Sequence, residues 1–107
     1  MKKEDKVIKN EKVAVAISPG FGAGWTTWNG NKISPFNPKI IEMIEKGKQS
    51  EITEEWCKEN LGIKGHICCL GTGDLIIEWL PVGTKFSINE YDGSESIYRD
   101  DELEFVA

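Results

Sequence analysis

Apolar residues run unbroken through Val13-Ala14-Val15-Ala16-Ile17. Small residues alternate there with β-branched ones, the pattern of a strand covered on both faces and so central in its sheet. Pro19 has no amide to give a ladder and ends it. Residues 19–36 show no period and carry turn signals at Asn29-Gly30-Asn31 and Ser34-Pro35, which predicts a long loop. The spacing then becomes helical. Asn37 caps, Pro38 fits the first helical position, Ile40, Ile41 and Ile44 make one apolar stripe, and Gly47 closes the helix. Thr53 caps a second helix of about two turns, with Glu54 and Glu55 in its first turn, Trp56 and Leu61 inward and Gly62 at its end. Period-two alternation follows, predicting strands over 64–70, 75–80, 85–91 and 94–98, with a short edge strand within 103–106. Helices grouped between one strand and a run of strands predict an α+β fold. Its mostly antiparallel sheet has about five strands, with two helices packed on one face, in the order β-α-α-β-β-β-β. The expected organisation is a charged tail over 1–11 and one domain over 12–107.

Asp92-Gly93 is a strong two-residue hairpin signal and fixes a register. Tyr91 faces Ser94, Glu90 faces Glu95, Asn89 faces Ser96 and Ile88 faces Ile97. The Ile88–Ile97 pair suits a buried face, and the same face then carries Glu90 opposite Glu95. Opposed carboxylates are unfavourable unless water or a cation separates them. Either both lie past the edge of the core, or they form a receptor for a partner's Lys or Arg, extended by Asp92, Asp100, Asp101 and Glu102. Charge is unevenly divided along the chain. The net charge is −5 overall, +4 over residues 1–48 and −9 over residues 49–107. An acidic half repels nucleic acid and attracts basic proteins.

The loop Gly20-Phe21-Gly22-Ala23-Gly24-Trp25 looks like a phosphate cradle but lacks its context. Trp25 breaks the dinucleotide pattern, no Gly-Lys-Ser/Thr follows, and Thr26-Thr27-Trp28-Asn29-Gly30 runs into a turn instead of a helix. Two readings stay open. Phe21, Trp25, Trp28 and Asn29 form a binding tip for a nucleotide or another small ligand, or the tryptophans fold back as a lid on the core.

Candidate chemistry elsewhere is sparse. Cys57, Cys68, Cys69 and His66 do not have the paired spacing of a metal site, and the cysteines read as small core residues. No nucleophile–base pair can be assembled, so neither catalysis nor a cofactor is expected. No apolar run is long enough to span a membrane, and residues 1–12 lack the apolar segment of a signal peptide, which gives an expectation of a cytoplasmic protein.

Two stretches together, residues 15–25 with Gly20, Phe21 and Gly22, and residues 77–95 with Glu90, Tyr91, Asp92 and Gly93, carry a resemblance. The chain resembles small phage and prophage proteins that have a Gly-Phe-Gly loop and a late Glu-Tyr-Asp-Gly hairpin. The resemblance implies an origin on a mobile element and no particular activity for any residue. In that setting, size and charge suggest a counter-defence protein of the anti-CRISPR kind. The expected partner is a host defence protein with a basic surface, engaged without direct contact to nucleic acid or membrane.

Overall fold

The computed structural model describes residues 6–20, 24–29, 33–98 and 105–107. It contains six strands and two α-helices: β1 (Ile8–Lys9), β2 (Lys12–Ile17), α1 (Pro38–Glu45), α2 (Glu54–Leu61), β3 (Ile76–Pro81), β4 (Lys85–Tyr91), β5 (Ser94–Tyr98) and β6 (Phe105–Val106). The α+β class agrees with the sequence. The strands form two three-stranded antiparallel sheets instead of one sheet, in the orders β1-β2-β3 and β5-β4-β6.

β2 is the centre of the molecule, as its unbroken apolar run requires. Ala14 and Ala16 face one way, into a core with Ile40, Ile41 and Ile44 of α1 and with Trp25, Ile33, Ile52, Ile67 and Leu75. Val13, Val15 and Ile17 face the other way, onto Phe86 and Ile88 of the second sheet. The alternation of small and branched side chains therefore sorts two layers: alanines under the helix, larger residues under the sheet. Phe36, Phe86 and Phe105 fill the second core. Phe86 and Phe105 stack with centroids 5.4 Å apart, and Phe36 meets both edge-on at 6.0 Å. Such pairs add stability beyond the area they bury.

Both helix starts form as their caps require. The Asn37 side chain accepts from the amides of Lys39 and Ile40, with Pro38 at the first position, and Thr53 Oγ1 accepts from the Trp56 amide. Asp92 and Gly93, at φ 50° and 85°, make the tight turn between β4 and β5, and the register is the one expected, from Tyr91–Ser94 to Ile88–Ile97.

Three expectations change. The segment 64–70 is not a strand. Two of its central backbone donors are taken by side chains: Ile67 N–H by Glu54 and Cys68 N–H by Asn29 Oδ1. No ladder can form on donors already committed. Without that strand the single sheet divides. A turn at Pro81–Thr84, with Thr84 N–H on Pro81 C=O and Gly83 at φ 90°, carries the chain from the first sheet to the second. Lastly, part of the supposed tail is structured. Asn10 and Glu11, both left-handed, fold β1 back on β2, and Lys9 reaches Glu45 of α1 at 2.6 Å.

Candidate functional site

The hairpin and the glycine loop, distant in sequence, meet at one carboxylate. Glu95 sits on the inner face of β5 and is 1% exposed. Its Oε1 accepts from the Ser18 amide at 2.9 Å. Its Oε2 accepts from the amides of Trp25 and Thr27, both at 2.9 Å, and from Thr27 Oγ1 at 2.6 Å. The backbone reciprocates, since Glu95 N–H donates to Ser18 C=O at 2.8 Å and Ser94 Oγ to Pro19 C=O at 2.6 Å. Four donors thus converge on one buried anion without a cation among the described residues. Fixed backbone dipoles stabilise a carboxylate in this way and compensate its loss of water.

Gly24 makes the approach feasible. A Cβ there would lie 2.7 Å from Thr27 Oγ1, 2.7 Å from Trp28 Cδ1 and 3.2 Å from Glu95 Oε2. The amides of Ser18, Trp25 and Thr27, on either side of the glycine stretch, therefore hold an anion, although the sequence pattern excluded a phosphate cradle there. That anion is the chain's own glutamate.

Burial corrects the expected acidic receptor. Glu90 and Glu95 are register partners, but only Glu90 lies past the core's edge, where it accepts from Gly93 N–H and closes its own turn. Glu95 is turned inward with its oxygens occupied. Asp92 is exposed at the tip. Asp100, Asp101 and Glu102 lie outside the described residues.

The aromatic loop divides the same way. Trp25 is wholly enclosed in the core beneath α1. Asn29 is buried too: its amide donates to Trp25 C=O and Cys68 C=O, and its oxygen takes the Cys68 amide. Trp28 remains exposed, and Phe21 lies outside the described residues. For Trp25 and Asn29 the lid is the structure observed: the Trp25 ring is enclosed and the Asn29 side-chain amide is bonded internally. Trp25 Nε1 and Thr26 Oγ1 are buried without a hydrogen-bond partner.

What the hairpin does present is its outer face. Ser87 pairs with Tyr98, Asn89 with Ser96 and Tyr91 with Ser94, opposite the buried Phe86 and Ile88. Tyr91 is 78% exposed and Tyr98 50%. The face thus carries two large rings among small hydroxyl and amide groups, with Asp92 at the turn and Lys85 at the far end, while Glu90 lies on the opposite face.

A second concavity, of about 460 Å³, lies between residues 50–54 and 66–72. At its rim Glu54 Oε2 accepts from the Ile67 amide and meets His66 Nδ1 at 2.7 Å. The Ile67 amide, with Lys58 and His66 nearby, holds the Glu54 carboxyl below its ordinary value. The thiols behind it are suppressed. Burial raises the pKa of Cys57, and burial together with Cys57 pushes Cys69 up to about 12. A thiol so raised supplies little thiolate at neutral pH and is a poor nucleophile. Among the described residues no group of three His, Cys, Asp or Glu side chains is placed to hold a metal ion. Cys57 and Cys69 are expected to resist iodoacetamide at pH 8 in the native protein and to react after unfolding in urea, as read by intact mass. The neutral thiol is the form the fold favours, so Cys69 contributes stability below the ordinary thiol value of 9.0 and loses it as pH rises towards 12.

Comparison with known protein families, with curated proteins and with solved structures gives no match. Among the described residues no helix is long and apolar enough to cross a membrane.

Proposed function

We propose that this chain is a non-enzymatic binding protein that engages a basic protein surface through the outer face and tip of the β4–β5 hairpin. The observation that carries the reading is the exposure of Tyr91 and Tyr98 on a β face built otherwise of Ser and Asn, with Asp92 at its turn and Lys85 at the opposite end. Rigid aromatic side chains among small polar ones provide contact area at low entropic cost. Carboxylates at the rim of such a surface steer basic partners and pair with Arg or Lys. The Glu95 anchor supports the same reading, because it fixes the inner side of the hairpin and leaves little to be ordered on binding. The setting we propose is counter-defence by a phage or prophage protein, whose target is a nucleic-acid-binding component of a host defence complex. There the exposed carboxylates would occupy positions that phosphates otherwise take.

The test is capture from bacterial lysate on immobilised protein, with a Tyr91→Ala/Asp92→Lys variant in parallel. The wild-type chain is expected to retain a basic, nucleic-acid-binding protein that elutes with added salt or duplex DNA, and the variant to lose it by about tenfold or more. Recovery of the same proteins on both surfaces, or of none on either, overturns the reading.

A further inference from the structure

A groove of about 400 Å³ opens where the two sheets part. Its base is Ile17 and Pro19, one wall is Ile76, Glu78 and Leu80 of β3, and the other is Ser96 and Ile97 of β5, with Glu95 at the inner end. Both walls are edge strands. Among the described residues β3 pairs only with β2, and β5 pairs only with β4 apart from the Glu95–Ser18 bond at its start. Among the described residues the outer edge of β3 has no backbone partner. An unpaired edge beside an apolar trough is a template for another extended segment. Ile76 is 40% exposed there. Glu78, also exposed, makes no ion pair among the described residues.

The charge selects the occupant. A glutamate on an open edge opposes addition of a second copy of this chain, since like charges facing across strands are unfavourable, and it favours a strand that brings a cation. The apolar walls suit the aliphatic stem of Lys or Arg and a neighbouring branched side chain.

We propose that an extended basic segment of the partner adds to β3 in this groove, setting an Arg or Lys on Glu78 and an apolar side chain against Ile76 and Ile97. This deepens the reading of the chain as a binder of basic proteins and rests on it.

The probe is a capped pentapeptide, Val-Thr-Arg-Thr-Val, whose Arg and Val side chains share one face of a strand, titrated to millimolar concentration into labelled protein and followed by amide chemical shifts. Its control has Glu in place of Arg. The expected result is a saturable shift of the amides of residues 76–80 and 96–97 with the Arg peptide, and none with the Glu peptide. Glu78→Lys should weaken binding by about tenfold, while Tyr91→Ala/Asp92→Lys should leave it unchanged. Absence of shifts in 76–80, equal binding of both peptides, or indifference to Glu78→Lys overturns the proposal. Glu78 is exposed, so its variant should keep the wild-type melting curve.

The lysate capture separates the two readings. A partner lost by the hairpin variant but kept by Glu78→Lys rejects the groove and leaves the hairpin. A partner lost by Glu78→Lys but kept by the hairpin variant rejects the hairpin and leaves the groove.

Discussion

Replacing Glu95 with alanine is expected to destabilise the fold by about 3–5 kcal/mol, read from the urea midpoint at an unchanged slope. The substitution removes the acceptor of three backbone amides and one hydroxyl where water does not reach. Hydrogen bonds to a charged group contribute about 1.5–3 kcal/mol each, and buried donors left unpaired are costly. A domain of this size loses roughly 4–8 °C per kcal/mol, so the midpoint of thermal unfolding should fall by at least about 12 °C. Glu95→Gln should cost less. Its single amide oxygen can still serve Trp25 and Thr27, and its NH2 group then faces the Ser18 N–H, donor against donor. Glu90→Ala, at the register partner, should change stability by only about 0.5 kcal/mol, because that side chain is exposed. Equal effects at Glu90 and Glu95 would sink the anchor.

The sequence already held both halves of that anchor, separately. Alternation along β5 set Glu95 on the same face as Ile97, and the glycines of the 20–24 stretch suggested a cradle for an anion. A phosphate cradle needs a helix after the loop, and a carboxylate beside a turn is satisfied by water or a cation, so neither pattern points to the other. The missing link was a contact between residues 70 or more positions apart, which neither local pattern encodes. The failure over 64–70 has the same origin. Lys64 to Leu70 has a strand-like composition, but Asn29 and Glu54 take its donors, and tertiary bonding overrides β propensity. By contrast β2, both helix caps and the Asp92-Gly93 turn were legible, because each depends on side chains within a few residues or on burial that composition reveals.

Trp25→Ala is expected to cost a further large amount, about 3–5 kcal/mol, by emptying the space under α1 that the indole fills. A ligand-binding tryptophan at a loop tip would predict the opposite, lost binding with stability intact, so urea denaturation of this one variant decides between tip and core. Trp25→Phe sharpens the test. The indole N–H is buried without an acceptor, so removing it relieves an unpaired donor while phenylalanine keeps most of the apolar volume. Its cost should stay below about 1.5 kcal/mol. The position is also joined to Glu95, which accepts from the Trp25 amide at 2.9 Å. Once the indole is gone the loop has less reason to hold its cradle shape, and the carboxylate loses part of its donor set. The Glu95→Ala/Trp25→Ala double variant should therefore be destabilised by less than the two single effects together, with a coupling of about 1 kcal/mol or more. Strict additivity would mean that core and anchor stabilise the loop independently.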